Sequence, residues 1–487
     1  MKHVKQLLSA LLVLAVVLSL LPAGVLKASA AEAPAALDIG YPTFKNTELL
    51  DEVYDLSKLG VSYSEKDIMM AIYKQDLANG GDSFYMDRIL AREGVCNGNA
   101  GSNGNADGNT FLTRGRALYM YTSSPSVIGF GGNTAYHQPL GRGNLVRVLF
   151  SNADGSLTTK EDTSKRVNAP SNWSSTYSVG SNLTLDVVKF IHQENVAVTT
   201  MTLTNKSAED QAITVAADST FATEPGKVTV NGAEQTELTG TCSSPAGLTT
   251  IYARMTGDGF EAASSDDYCW LSRDVTVPAG GSVELKVVIA FTTEEIPEST
   301  AQYLRFAGLG NLEAVRAQKA EYNLYWAENL PYIDVPKKAV QKAIDYRWWL
   351  ERFNSLDANI PGYDYQYPVT IEGVLGYNNA IILTQPMHLQ DTKWLRSPYL
   401  AYGQLLSAGN SSQSSAFLDN PGNRNNWNNH YGQYLAEAGY EAFNVIGGGA
   451  EVAENFAYYF GHDATGQLEH YGNHIEGRDL ITYRNNY

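Results

Sequence analysis

The chain has 487 residues, 44% of them hydrophobic, and carries a formal charge of −17. Such a length argues for more than one domain, and the apolar fraction is ample for buried cores. So acidic a balance speaks against nucleic acid, whose phosphates call for clustered Lys and Arg, and against adsorption to anionic membrane surfaces.

The chain opens with a short basic segment, Lys2, His3 and Lys5, followed by an almost unbroken apolar run from Leu7 to Leu21. Pro22 and Gly24 break the run, and Ala28-Ser29-Ala30 supplies the small-x-small pattern a signal peptidase needs. The run is short for a bilayer-spanning helix, which wants about 20 apolar residues. Residues 1–31 therefore read as a cleaved signal peptide, and the mature chain is expected to be secreted, with no membrane contact after cleavage. No later stretch is apolar enough to span a bilayer.

From 32 to 296, short β-rich runs alternate with turn residues. Asn144–Phe150, Leu183–His192, Val196–Thr204 and Val283–Phe291 carry the period of half-buried strands, and Phe111–Tyr121 is of the same kind. Asn205-Lys206-Ser207, Asp258-Gly259 and Ala279-Gly280-Gly281 are turn material. Strands spaced this way over such a length predict a large antiparallel sandwich. Asn97–Asn109 reads as a flexible Gly/Asn/Asp insertion without EF-hand spacing. Cys96 precedes it; Cys242 and Cys269 share the strand-rich region, and their pairing is left open. The cysteines lack CxxC or His-rich spacing, which speaks against zinc.

The pattern turns helical at Pro297. Glu298–Phe306 and Asn311–Asn329 form a helical linker over 297–335, punctuated by Pro331 and Pro336. Helical stretches are then expected at about 336–353, 376–389, 398–408, 426–446 and 450–460, which makes 336–487 an all-helical region.

Unusual polar and aromatic residues gather between these helices. Arg347, Trp348 and Trp349 close one helix, and successive tryptophans point about 100° apart, so one of the two is expected to face away from the core. Tyr365–Leu375 brings Glu372 into a loop before a helix, where it is either a sugar-binding or acid/base carboxylate or simply a helix-start carboxylate favoured by the macrodipole. The densest cluster is Met387–Leu395, with His388, Gln390, Asp391 and Trp394. Glycoside hydrolysis needs two carboxyl groups flanking the scissile bond, and a carboxyl partly desolvated by an indole keeps its proton; Asp391 near Trp394 fits that requirement. At the end of the chain, Glu476, Arg478 and Asp479 form a second polar cluster. The 30 tyrosines and 7 tryptophans suit sugar faces and large aromatic cores alike.

Together these segments resemble the glycosidases built from an N-terminal β-supersandwich, a helical linker and an (α/α)6 toroid, such as the processing α-glucosidase I and mannosylglycerate hydrolase-like groups. The matching stretches are FLTRGRALYMY with VIGFGG, VKFIHQENVAVTTMTLTNKS, the linker NLEAVRAQKAEYNLYWAENLPYIDVPKKAVQKAIDYRWWLERFN, and LQDTKWLRSPYLAYGQLL. The last is similar to a Trp-Asp-Thr/Glu segment followed by an aspartate-proline pair and a helix. The resemblance implies a general-acid role for Asp391; the sequence departs from the motif at Gln390, where a tryptophan is usual, and at Ser397 before Pro398.

The fold class expected is thus β then α: an antiparallel β-supersandwich, a helical linker and an incomplete (α/α)6 toroid. Twelve toroid helices of about 11–12 residues plus loops need roughly twice what 336–487 supplies, so the chain is expected to be the N-terminal part of a longer one. The function implied is that of a secreted glycosidase acting on an oligo- or polysaccharide without a cofactor or metal. Asp391 would be the acid; the resemblance implies a base late in the toroid, beyond residue 487, and in a different layout Glu372 or Glu476, otherwise candidate contacts to sugar hydroxyls, would take that role. Arg347, Trp348, Trp349, Tyr377, His388, Gln390, Trp394, Arg478 and Asp479 are candidate substrate contacts. The alternatives are a glycoside phosphorylase, for which no phosphate cradle is visible, and a non-catalytic carbohydrate-binding protein.

Overall fold

The computed structural model describes residues 110–454, apart from 112–114, 123–125, 137, 169–170, 244–248, 266–267, 331–334, 358, 360–366, 372–383, 412–416, 419–427, 430–434 and 449–451. Residues 1–31, Cys96, the 97–109 insertion, Glu372, Tyr377, Glu476, Arg478 and Asp479 lie outside the described residues.

Two antiparallel sheets face each other. The eight-stranded sheet runs β1 (Thr110–Phe111), β2 (Leu118–Thr122), β3 (Gly129–Tyr136), β4 (Gln138–Asn152), β11 (Gln211–Asp218), β16 (Tyr268–Val277), β15 (Glu261–Ser265), with β5 (Gly155–Ser156) on β4. The nine-stranded sheet runs β12 (Glu224–Val230), β13 (Ala233–Ser243), β14 (Thr250–Gly257), β17 (Ser282–Thr292), β10 (Val196–Asn205), β9 (Leu183–His192), β8 (Trp173–Val179), β6 (Thr159–Glu161), with β7 (Val167–Asn168) on β8. Their inner faces share one core, in which Phe130, Val148 and Phe150 of one sheet meet Leu185, Val187, Met201 and Ile289 of the other. Burying each such side chain contributes about 1.5–3 kcal/mol. Cys242 on β13 and Cys269 on β16 are free thiols.

Burial along β9 shows why the nine-stranded sheet needs a second layer. Its first half alternates buried and open positions, as a one-sided strand does. Its second half, Phe190 to His192, is buried on both faces. The outer face there is covered by helices α1 (Pro297–Gly308) and α2 (Asn311–Asn329), whose Tyr303, Phe306, Ala314 and Ala317 pack on Phe190, Val196, Val198 and Val288. Phe190 and Phe306 meet edge to face, with ring centroids 5.5 Å apart. Pro297 starts α1 at a position that needs no amide donor. Glu313 accepts the Gly310 amide at 3.3 Å and closes the start of α2.

Helices α3 (Lys338–Phe353), α4 (Gln385–Thr392), α5 (Tyr399–Ser411) and α6 (Leu435–Ile446) follow. Between α3 and α4, β18 (Ser355–Leu356) pairs with β19 (Val369–Thr370). This ladder packs Leu356, Val369 and Ile371 on Tyr119 and Ala135, on the outer face of β2 and β3. Within the span expected to be helical from 426, Leu435–Ile446 is helix, whereas Asn428–Asn429 pairs with Phe417–Leu418, in keeping with the poor helix propensity of asparagine. In α5, Gly403 lets the helix touch Pro368, the residue before β19, since a Cβ there would lie 2.4 Å from Pro368 Cγ. None of the described helices is long and apolar enough to cross a membrane.

Candidate functional site

Asp391 lies on the last turn of α4, against α3. Its carboxylate receives both donors of Arg347: Nε reaches Oδ1 at 3.2 Å and Nη2 bonds Oδ2. The Trp348 indole donates to the Asp391 backbone carbonyl at 3.0 Å. The Arg347 side chain is 63% exposed and that of Asp391 22%, so the pair stands at the rim of the helix contact rather than inside it. The carboxylate raises the basicity of the Arg347 guanidinium through their hydrogen bond.

The other expected contacts spread around α4. His388 faces α3, where its Nδ1 lies 2.9 Å from Glu351 Oε1. Gln390 faces α6, donating to Glu441 Oε2 at 2.7 Å, and Lys393 donates to the same oxygen at 2.8 Å. These two bonds, that from Lys393 first, hold the Glu441 carboxyl below its usual range. Trp394 is 52% exposed, with the Lys393 ammonium 5.3 Å from its ring centroid. Trp394 thus presents an open ring face. Trp348 and Trp349 are both buried, contrary to the expectation that one would point away; Trp349 stacks on Phe353 with centroids 4.8 Å apart. Both indoles are covered because α3 has neighbours on two sides.

The structure therefore brings together Arg347, Trp348 and Asp391, and links Gln390 to Trp394 through Lys393. The partner of the Asp391 carboxylate is a guanidinium, where the sequence suggested an indole.

A second polar cluster was not singled out from the sequence. It lies where the sandwich meets the helices. Arg116, 6% exposed, donates from Nη2 to Asp357 Oδ2 at 2.7 Å, from Nε to the Asp357 carbonyl at 3.2 Å, and from Nη1 to Glu194 Oε2 at 3.4 Å. The Tyr399 hydroxyl also donates to Asp357 Oδ2, and the Asp357 amide returns a bond to the Arg116 carbonyl at 2.6 Å. Burial pushes the Glu194 carboxyl up, while Arg116 and His192 oppose it. Next in line, His192 Nε2 lies 2.7 Å from Glu321 Oε2, and Arg305 pairs with Glu321 Oε1 at 2.5 Å. A cavity of about 30 Å³ opens beside Arg116, bounded by Tyr325, Arg352, Asp357, Ser397 and Tyr399 among others. That volume admits one or two waters. The available signal was weak: an arginine inside the apolar run FLTRGRALYMY, without a spacing to identify its partner.

Among the described residues no group of three or more His, Cys, Asp or Glu is placed to hold a metal ion.

No family model matches the sequence. Solved structures with similarity include a putative kojibiose phosphorylase from the human microbiome, at 9% identity and TM-score 0.45, covering 62% of this chain and 46% of that one. A family GH92 inverting mannosidase from Bacteroides thetaiotaomicron aligns at 12% identity and TM-score 0.37, over 72% of this chain and 54% of its own. A further GH92 glycosyl hydrolase aligns at 10% identity and TM-score 0.34, over 79% and 62%. The chain thus spans about half the length of the solved proteins it matches.

Proposed function

We propose that this chain is a glycoside hydrolase, exported by the signal segment 1–31, in which Asp391 acts as general acid on an O-glycosidic bond of an oligo- or polysaccharide. In this reading, α3 to α6 belong to an (α/α)6 toroid, and Glu372 or Glu476 supplies the base. The observation that carries it is the setting of Asp391: a carboxylate at an open rim, bonded to a well-exposed arginine, on the helix that leads into the half-open ring of Trp394. An exposed indole offers an apolar face with a polar edge to a pyranose, and a protonated carboxyl within reach of the glycosidic oxygen supplies the proton its departure needs. The Arg347 bonds occupy both oxygens of Asp391. Substrate must therefore displace Arg347, after which the Asp391 carboxylate takes up a proton from solvent and delivers it to the glycosidic oxygen, and the freed guanidinium becomes a donor to sugar hydroxyls.

The test uses the full chain secreted from an expression host and a panel of aryl α- and β-glycosides with matched oligosaccharides, following release of aglycone or reducing sugar. Turnover on at least one substrate, lost by about 10²–10⁴-fold in Asp391→Asn with the fold retained, is expected. Activity within a few-fold of wild type in Asp391→Asn would remove Asp391 from the mechanism. The mass of the secreted product checks cleavage near residue 31.

A further inference from the structure

The outer face of the eight-stranded sheet is covered at its β2–β3 end by β18 and β19. Towards β4, β11, β16 and β15 it carries an aromatic shelf. Tyr268 and Trp270, two residues apart on β16, point to the same side, and their rings stack with centroids 5.6 Å apart and planes 28° from parallel. Tyr268 is 41% exposed although it is a large aromatic on a sheet face. Register then places a fixed polar pair beside the rings. Arg147 on β4 is opposite Asp218 on β11, and it donates to Asp218 Oδ2 from Nε at 2.9 Å and from Nη2 at 2.6 Å. Nη2 also reaches the Tyr268 hydroxyl at 3.5 Å. Nη1 of Arg147 makes no hydrogen bond among the described residues, and the side chain is 43% exposed. The facing positions are small: Ala263 opposite Trp270 and Ser265 opposite Tyr268, so nothing bulky on β15 closes off the rings.

We propose that this shelf is a carbohydrate-binding site, separate from the helices that carry Asp391, which takes a neutral pyranose of a polysaccharide on the Tyr268–Trp270 face. A pyranose presents C–H groups on its faces and hydroxyls around its rim. The shelf offers the complement: flat apolar rings, with an acceptor and a spare guanidinium donor fixed at their edge. The Arg147–Asp218 pair sums to zero charge, so the shelf does not select for polyanions, and the chain's charge of −17 works against them. A strand-adding protein partner would instead use the backbone edge of β15. Because the rings are already stacked and the arginine already held, binding freezes few side-chain rotors.

Native gel electrophoresis of the full chain through gels containing soluble starch, yeast mannan, xylan or barley β-glucan tests the site without relying on hydrolysis. At least one polymer is expected to retard the wild type. Trp270→Ala and the exposed Arg147→Ala should each weaken that retardation about tenfold, the scale of one lost aromatic face or charge-assisted bond. Trp270→Phe should keep part of it. Thermal melts identify any variant that fails to fold. Absence of retardation by all four polymers would overturn the proposal, as would equal retardation of wild type and folded Trp270→Ala. Sedimentation showing a dimer that Trp270→Ala dissolves would assign the face to self-association instead. Loss of hydrolysis with binding intact would count against the glycosidase reading alone.

Discussion

Arg116 and Asp357 lie 241 positions apart in sequence and bond each other three times: guanidinium to carboxylate, guanidinium to carbonyl, and amide to carbonyl. One residue belongs to the start of the sandwich and the other directly follows β18, so this contact joins the two halves of the described molecule. Removing one partner of a buried pair leaves the other charge without compensation, a loss of about 3–5 kcal/mol. Arg116→Met is therefore expected to lower the melting temperature sharply. It should also speed limited proteolysis of the folded chain, read by mass spectrometry. Unchanged cleavage kinetics would show that this pair is not what holds the halves together.

Asn195 holds the first strands in place through an unusual backbone. Its φ of 62° lies in the left-handed region, which costs a non-glycine residue roughly 1–2 kcal/mol. Its side-chain Oδ1 accepts the amides of Ala117 and Leu118 at 2.8 and 2.9 Å. Asn195→Ala tolerates that backbone less well than asparagine and loses these bonds together with the Nδ2 bond to Ser299 Oγ at 3.5 Å, so a destabilisation of about 2–3 kcal/mol is expected in urea unfolding. Asn195→Gly removes the conformational cost and should be less harmful than Asn195→Ala. The order of the two variants is the test.

Gly403 is expected to resist replacement by alanine, although alanine is the better helix former by about 1 kcal/mol. The added methyl would meet Pro368 Cγ, Cδ and carbonyl oxygen at 2.4 to 2.7 Å. Overpacking of that kind costs about 1–3 kcal/mol. Gly403→Ala should therefore melt below the wild type; a melting temperature equal or higher would mean that Pro368 yields without strain.

Two buried lysines set a direction for stability against pH. Burial brings Lys189 down to about 7 and Lys286 down to about 8, from 10.5. Between those values and 10.5 the unfolded chain holds more protons than the folded one, so stability rises with pH through this window. Denaturant midpoints should climb from pH 7 to about 9.5. Lys189→Met should flatten that slope even while it lowers the overall midpoint, because the Val127 and Gly129 carbonyls lose their donor. A slope unchanged in Lys189→Met would mean that this lysine keeps its proton inside the sheet.

Where residues interact locally, the sequence was readable. Leu183–His192 is a strand with the bounds its alternation predicts, and Asn311–Asn329 is a helix over the predicted span. Asn231-Gly232 is also a local signal, a two-residue turn between Val230 and Ala233 with both φ angles positive, though it was not picked out. What stayed hidden depends on distant partners. Nothing near Asp391 in the chain points to Arg347, 44 positions earlier, and the burial of both Trp348 and Trp349 follows from neighbours on two sides of α3. Arg116 and Asp357 are likewise ordinary charged residues until the fold makes them neighbours.

The order of strands in the larger sheet has a consequence for synthesis. β17, the last strand of the sandwich, is inserted between β14 and β10, pairing Val196 with Ala290 and Tyr252 with Thr292. A nascent chain that has not yet released residue 292 holds two open strand edges in the middle of that sheet, each a template for another chain. Only four residues separate the end of β17 from the start of α1. The strand that closes the sheet and the helix that shields its outer face therefore leave the ribosome almost together, and the aggregation-prone interval ends within one short stretch of translation.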